Sequence, residues 1–123
     1  MYLLRKSFTF DAAHWIPCHE GKCKNLHGHT WRLDVILYAH ALQEAGPESG
    51  MVCDYGRIKE FVQPIIEQYL DHQCLNDTVG GFIPVVTSET LAKWLYEQVK
   101  PLIPQLRAIE VWETPTSSCR YEE

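Results

Sequence analysis

Three histidines near the N-terminus could together hold a metal ion. His27 and His29 are separated by one glycine, in a stretch whose alternating pattern predicts a strand. Side chains at positions i and i+2 point to the same side of a strand, so both imidazoles can reach one ion. His14 ends the preceding predicted strand, which we expect to pair with the second. Three imidazoles with the fourth position open are typical of catalytic zinc.

The spacing leaves other interpretations open. A His-x-His pair also occurs on protein surfaces without binding anything. The same histidines could form a structural zinc site in which Cys18 and Cys23 are further ligands. No carboxylate within these motifs completes the facial triad of non-haem iron, and zinc is therefore the predicted ion.

Cys23 lies four residues before His27 and is flanked by Lys22 and Lys24. Nearby cations or a metal lower the pKa of a thiol from about 8.5 toward neutrality. A thiolate at Cys23 could therefore act as a base or nucleophile beside the metal. The chain has 5 cysteines, which cannot all pair. We expect reduced thiols, most of them buried as small apolar side chains.

Two further positions carry groups that could move a proton or bind a ligand. Asp71 precedes His72, and a histidine beside a carboxylate can carry protons, although the pair is equally typical of a polar helix end. Glu113 ends a predicted strand on the same parity as Ile109 and Val111. A carboxylate on an apolar face needs a partner or a ligand, unless it is simply exposed at the sheet edge.

The predicted elements position these groups. Residues 2–14 and 27–40 alternate and predict two long strands joined by a polar loop from Pro17 to Leu26. Asp54 is predicted to cap a first helix, in which Pro64 should cause a kink or leave a carbonyl unpaired. Thr87 or Ser88 is predicted to cap a second helix.

Two short strands, around residues 107–114 and 117–122, close the chain. The order ββααββ predicts a single α+β domain over residues 1–123, with two helices on one face of an antiparallel four-stranded sheet.

Composition narrows the class of protein. The chain has 123 residues, of which 46% are hydrophobic and 22% charged, with a net charge of −5. Without a basic run we expect no nucleic-acid binding, although Lys22 and Lys24 could act locally on a small anion. No apolar run is long enough to cross a membrane, and the N-terminal residues lack the pattern of a signal peptide. We therefore expect a soluble cytoplasmic protein.

Several motifs, in this order along almost the whole chain, resemble one family, the 6-pyruvoyltetrahydropterin synthase/6-carboxytetrahydropterin synthase group. They are Phe8-Thr9-Phe10-Asp11-Ala12-Ala13-His14, Cys23-Lys24-Asn25-Leu26-His27-Gly28-His29, Gly50-Met51-Val52-Cys53-Asp54-Tyr55, Leu70-Asp71-His72-Gln73-Cys74-Leu75-Asn76, Thr87-Ser88-Glu89 and Trp112-Glu113-Thr114. Cys53 departs from the aliphatic residue expected there, and we interpret it as a packing residue.

The resemblance implies a fold, an assembly and residue roles. Members of the family adopt the tunnelling fold, and their trimers pair into hexamers around a barrel of strands. The zinc ligands correspond to His14, His27 and His29, the base to Cys23, and the proton relay to Asp71 and His72. Glu113 corresponds to the carboxylate that binds the pterin edge and also belongs to the relay. Thr87, Ser88 and Glu89 resemble a segment that lines the pterin pocket across a subunit interface.

The loop spacing narrows the resemblance further. Cys-x₃-His-Gly-His is similar to the bacterial 6-carboxytetrahydropterin synthases of the queuosine pathway, whereas pyruvoyl-forming members place the cysteine at the position of Gly21. A third branch has a glutamate in this loop, and none lies between Lys22 and Leu26. The implied reaction converts 7,8-dihydroneopterin triphosphate to 6-carboxy-5,6,7,8-tetrahydropterin, acetaldehyde and triphosphate. A pyruvoyl-type synthase or pterin aldolase, and a non-catalytic pterin- or zinc-binding scaffold, are the alternatives.

Overall fold

The fold is organised around two long paired strands. The computed structural model describes all 123 residues. Its longer elements are strands β1 (Tyr2–His14) and β2 (His27–Ala39), helix α1 (Tyr55–Ile65), helix α3 (Ser88–Val99), and strands β4 (Leu106–Thr114) and β5 (Ser117–Glu122). Between α1 and α3 lie a two-residue strand β3 (Gln73–Cys74) and a short helix α2 (Leu75–Thr78). No helix is both long enough and apolar enough to span a membrane.

The sheet has five strands in the order β3-β1-β2-β4-β5. The four long strands pair antiparallel, as the sequence predicted. The predicted number of four strands is wrong, because β3 adds a short parallel pairing of Gln73 and Cys74 with Ala12 and Ala13. A two-residue strand is too short to show an alternating pattern, so the sequence contains no signal for it.

The core lies between one face of the sheet and the helices. Alternate residues of the long strands point into it, since successive side chains of a strand face opposite sides. They include Phe8, Phe10, Trp31, Leu33, Val35, Leu37, Ile109 and Val111, all of them buried. Helix α1 adds Ile58 and Val62, and α3 adds Leu91, Leu95 and Val99. The α+β class, with helices on one face, is confirmed.

Both predicted helix caps are present. The Asp54 side chain accepts a hydrogen bond from the backbone N–H of Gly56. Thr87 caps α3 through a reciprocal pair of hydrogen bonds with Thr90. Such caps satisfy backbone N–H groups that have no partner inside a helix.

Pro64 does not end its helix. Helix α1 continues beyond it as one π-helical turn, Ile66–Leu70, which is closed by a 2.8 Å hydrogen bond from the Asp71 N–H to the Ile66 carbonyl. Proline removes one hydrogen bond of the α-helical ladder, and wider turns of this kind commonly accommodate such irregularity. The turn delivers Asp71 and His72 to the edge of β1.

The opposite face of the sheet buries a carboxylate. Only 1% of the Asp34 side chain is exposed. It accepts hydrogen bonds from Ser7 Oγ at 2.6 Å, from Arg32 Nε and Nη2 at 2.8 and 2.9 Å, and from Trp112 Nε1 at 3.0 Å. Burial raises the pKa of Asp34, but these donors outweigh it and hold the pKa below its usual value. The network joins β1, β2 and β4.

We expect Asp34→Asn to lower the free energy of unfolding at pH 7 by about 1–3 kcal/mol, because one acceptor oxygen becomes a donor among donors. Since the pKa of Asp34 is lower in the folded chain, its contribution is present above the unfolded value of about 3.9 and is lost as the pH falls below the folded value. Urea unfolding at fixed protein concentration should show a difference that shrinks on acidification. Asp77→Asn, which removes the same charge from an exposed site, is the control and should have little effect at either pH.

Candidate metal centre

The pairing of β1 with β2 brings the three predicted histidines together. His14 and His27 are direct partners across the two strands, and His29 follows on the same side of β2. The ring centroids lie 4.6 Å apart for His14 and His27, 4.8 Å for His27 and His29, and 5.4 Å for His14 and His29. The predicted convergence of the three side chains is present.

Backbone carbonyls orient two of these rings. His14 Nδ1 lies 2.8 Å from the Val86 carbonyl oxygen, and His27 Nδ1 lies 2.7 Å from that of Asn25. A carbonyl can only accept, so each Nδ1 carries a proton, and Nε2 is the atom of each ring that can offer a lone pair to a metal. Histidine ligands of metals are commonly held in this way.

The three Nε2 atoms are buried and none has a hydrogen-bond partner. Buried polar atoms are usually satisfied, and leaving one without a partner costs about 1–3 kcal/mol. Three such nitrogens at one point fit a shared cation, with each lone pair as a ligand. The donor set of three imidazoles fits zinc.

Burial favours the neutral form of two of the imidazoles. It lowers the pKa of His14, which has no exposed surface, and this effect outweighs the Val86 hydrogen bond and the nearby Glu113 carboxylate, which both raise it. Burial also lowers the pKa of His29. A metal binds neutral imidazole, so this shift favours binding without the loss of a proton near neutral pH.

Glu113 joins the cluster from the neighbouring strand. Its Oε1 lies 3.1 Å from His29 Nε2, without the geometry of a hydrogen bond. One ligand atom from each of His14, His27, His29 and Glu113 falls within 4.8 Å of the others. No carboxylate of the motifs around the histidines joins this cluster, but the neighbouring strand supplies Glu113.

A cleft opens beside Glu113 because two strands separate there. Pairing between β2 and β4 ends at Arg32 and Trp112, and pairing between β4 and β5 is irregular between Trp112 and Thr114. The resulting cavity of about 500 Å³ is lined by residues of both strand ends, including His29, Trp112 and Glu113. A ligand in this cavity could therefore contact Glu113 and His29 together.

Asp71 and His72 lie beside the histidine cluster rather than in it. Asp71 Oδ1 accepts from the Asp11 N–H at 3.1 Å and Oδ2 lies 3.0 Å from His72 Nδ1. The backbone N–H of Asp11, followed by His72, lowers the pKa of Asp71. The His72 side chain is 78% exposed and lines a cavity that it shares with His29. The pair can therefore exchange protons with solvent.

Cys23 lies in a one-turn 3-10 helix, Lys22–Lys24, in the loop between β1 and β2. Its side chain is partly buried and its carbonyl accepts from the Ile16 N–H at 2.7 Å. Neither Cys23 nor the exposed Cys18 belongs to the cluster of four ligand groups, which argues against the structural Cys/His site.

The expectation that most of the cysteines are buried is wrong. Only Cys53 is buried, and burial raises the pKa of its thiol. Burial also raises the pKa of Cys119. Four of the five cysteines lie outside the strands and helices predicted from the sequence, where no periodic pattern indicates burial.

Thr87, Ser88 and Glu89 do not line the cavity that contains Glu113. The Thr87 hydroxyl is engaged in capping α3, and Ser88 Oγ donates to Glu89 at 2.8 Å. Their neighbour Val86 does act at the site, through its carbonyl. Because that contact is made by a backbone atom, which every residue type has, the sequence could not predict it.

Known proteins resemble this chain over nearly its full length. Residues 3–123 match the family described as 6-pyruvoyl tetrahydropterin synthase. The chain is 42% identical over 122 residues to a 6-carboxy-5,6,7,8-tetrahydropterin synthase of Synechocystis sp., covering 98% of this chain and 93% of the relative. It is 33% identical over 142 residues to the protein of that name in Haemophilus influenzae, with full coverage of both. The structure of Caenorhabditis elegans 6-pyruvoyl tetrahydropterin synthase superposes with a TM-score of 0.83 at 28% identity, covering 99% of this chain and 95% of that one.

The three unpartnered nitrogens predict a metal-dependent stability. Adding Zn²⁺ to the metal-free chain should raise its unfolding temperature, because an ion that binds only the folded state stabilises it. His29→Ala should remove most of this rise and most of the bound zinc. His40→Ala changes a histidine outside the cluster and should leave both intact. Equal zinc content in His29→Ala and the parent would show that the ligand assignment is wrong.

Proposed function

The chain belongs to the 6-pyruvoyl tetrahydropterin synthase family, and within it we propose a zinc-dependent 6-carboxy-5,6,7,8-tetrahydropterin synthase. The observation that carries the proposal is the convergence of three unpartnered imidazole nitrogens with a carboxylate, Glu113, 3.1 Å from one of them. A zinc hydrolase could also use such a carboxylate, as a general base. The match of residues 3–123 to the family favours a pterin, whose edge offers adjacent N–H donors to a carboxylate.

The proposed reaction converts 7,8-dihydroneopterin triphosphate and water into 6-carboxy-5,6,7,8-tetrahydropterin, acetaldehyde and triphosphate. Atoms balance with one water: elimination of the triphosphate needs none, and the water is consumed where the side-chain carbon–carbon bond is cleaved to give the carboxylate and acetaldehyde. The ring gains two hydrogens while its side chain is oxidised to a carboxylate, so no external reductant is required. The chemistry consists of proton transfers at weakly acidic carbons, which a positioned base can accelerate by about 10²–10⁴-fold.

Each residue of the site has a proposed role. His14, His27 and His29 would hold Zn²⁺, which supplies a Lewis acid that polarises substrate oxygens. Cys23 would take a proton from the substrate side chain.

Asp71 and His72 would carry protons between this site and solvent, a role supported by the 3.0 Å contact between them and the exposure of His72. Glu113 would accept two parallel hydrogen bonds from the pterin and so fix its orientation.

The loop spacing supports the carboxy-forming reaction over the pyruvoyl-forming one. The cysteine lies at Cys23, with Gly21 at the position the pyruvoyl-forming enzymes are expected to use. The relatives from Synechocystis sp. and Haemophilus influenzae carry the corresponding name. We propose a role in queuosine biosynthesis on the same grounds.

The free strand edges support an oligomer. The outer edge of β5 has no partner, and β1 pairs on its outer side only at Ala12 and Ala13. Open edges of this length favour pairing with another chain. We propose a homohexamer built from two trimers, with Thr87, Ser88 and Glu89 contributing to the pterin pocket of a neighbouring subunit. Light scattering should give six times the 14.3 kDa mass of the chain, and a monomer would contradict the assembly.

Product analysis tests the proposed reaction. Zinc-loaded protein incubated with 7,8-dihydroneopterin triphosphate should yield 6-carboxytetrahydropterin and acetaldehyde in equal amounts, measured by mass spectrometry. Cys23→Ala should retain zinc and form neither product at a comparable rate. A 6-pyruvoyl product would favour the pyruvoyl-type synthase, and pterin binding with no turnover by the zinc-loaded parent would favour a non-catalytic scaffold.

Glu113→Gln separates pterin recognition from metal binding. The substitution keeps the side-chain volume but replaces one acceptor oxygen by an N–H donor, which would face a donor of the pterin. Pterin affinity should therefore fall by about 2–4 kcal/mol with zinc content unchanged. Turnover at saturating substrate should fall as well, because Glu113 is also assigned to the relay. Calorimetric titration with a pterin measures the affinity directly.

The matched control is Glu110→Gln, on the opposite face of the same strand, where Glu110 accepts from Ser118 at 2.9 Å. This variant should bind the pterin as the parent does. Equal affinity of Glu113→Gln and the parent would remove Glu113 as the anchor.

A further inference from the structure

Two lysines beside the candidate site have no anionic partner. All five arginines contact a carboxylate, namely Arg5, Arg32, Arg57, Arg107 and Arg120. Lys22 and Lys24 form neither an ion pair nor a side-chain hydrogen bond, and both are exposed. Their charges are therefore available to a ligand.

The segment that carries these lysines is fixed against the histidine cluster. The Ile16 N–H donates to the Cys23 carbonyl at 2.7 Å, and the Asn25 N–H donates to the Lys22 carbonyl at 3.0 Å. The Asn25 carbonyl in turn holds His27 Nδ1 at 2.7 Å. Lys24 lies three residues before His27, so their Cα atoms are at most about 11 Å apart. The turn is thus held to Ile16, two residues after His14, and is connected to His27 through the Asn25 carbonyl.

The remaining charges near the site are unfavourable for a polyanion. Asp11 lines a cavity that it shares with His29, Asp71 is hydrogen-bonded to Asp11, and Glu113 belongs to the histidine cluster, all in a chain of net charge −5. A triphosphate approaching this surface would meet repulsion unless local cations offset it. Lys22 and Lys24 are placed to supply that positive charge.

The geometry also gives the ligand a direction. Glu113 lies against His29, whereas His27 begins β2 directly after the loop. A pterin bound at Glu113 with its side chain across the histidines would therefore extend toward Lys22 and Lys24.

We propose that Lys22 and Lys24 bind the oligophosphate end of the substrate, and so select a triphosphorylated pterin over its free alcohol. The inference rests on the proposed function and adds a second subsite to it. Ammonium groups bind phosphate oxygens through short, charge-assisted hydrogen bonds. In this role the lysines act on substrate affinity, whereas cations that only activate the Cys23 thiol would change the pH dependence of turnover and leave affinity unaltered.

The test compares two ligands that differ only in phosphate. The zinc-loaded Cys23→Ala chain, which should bind without turnover, is titrated with 7,8-dihydroneopterin triphosphate and with 7,8-dihydroneopterin. Replacing both lysines by glutamine should weaken binding of the triphosphate about tenfold or more per lysine, the size expected of a hydrogen bond to a charged group. Binding of the unphosphorylated pterin should not change. Raising the salt concentration should weaken binding of the triphosphate but not of the unphosphorylated pterin. The effect of salt should be smaller in the double lysine variant.

Lys59→Gln and Lys93→Gln are matched controls, because they remove exposed lysines that also lack an ion pair but lie on α1 and α3. Neither should alter either affinity. The proposal is overturned if the double lysine variant keeps the affinity for the triphosphate, or if it loses affinity for both ligands equally. A shift in the pH profile of turnover, measured with the Cys23 thiol intact and with KM unchanged, would also overturn it.

The same titrations separate this proposal from the proposed function. A parent chain that binds dihydroneopterin no more weakly than its triphosphate contradicts the phosphate subsite and leaves the pterin site standing. A parent chain that binds no pterin contradicts the proposed function. Should Cys23→Ala fail to fold, KM for the triphosphate in the lysine variants with the thiol intact repeats the comparison, with an unchanged KM again overturning the subsite.

Discussion

The register between β1 and β2 is the constraint on which the site depends. The two strands pair without interruption from Tyr2 opposite Ala39 to His14 opposite His27. A slip of one residue would turn every side chain of one strand to the other face. It would move Phe8 and Phe10 out of the core and at the same time separate His14 from His27 and His29. The apolar residues thus fix the metal ligands, because burial of the core selects the register that assembles them.

The same register creates a cost that a ligand can relieve. Strands that place His14 opposite His27 also bury three Nε2 atoms without hydrogen-bond partners. A protein interior normally avoids such atoms, and functional sites are where exceptions concentrate. Opposite the core, Asp34 shows the contrasting solution, since a buried carboxylate there receives donors from Ser7, Arg32 and Trp112. The contrast between a satisfied and an unsatisfied polar cluster is what separates a structural network from a candidate site.

Much of this arrangement was predictable from the sequence, and the exceptions have physical reasons. Alternating apolar residues located β1 and β2, and the two-residue period of a strand placed His27 and His29 on one side. Pattern arguments fail where no side-chain pattern exists, as for the two-residue β3 and the π-helical turn after Pro64. Contacts made through main-chain atoms, such as Val86 with His14, leave no signal either. The approach of Glu113 to His29 required the tertiary structure, because β2 and β4 are distant in sequence and separate at the point of contact.

The central claim is a metal held by three imidazoles with no thiolate, and X-ray absorption at the zinc edge tests it most directly. The zinc-loaded chain should show a nitrogen or oxygen shell at about 2.0–2.1 Å, with the outer-shell scattering of three imidazole rings. It should show no sulfur near 2.3 Å, the distance expected of a zinc–thiolate bond. A sulfur shell would make Cys23 or Cys18 a ligand and turn the centre into a structural site, and scattering from fewer than three imidazoles would contradict the ligand set.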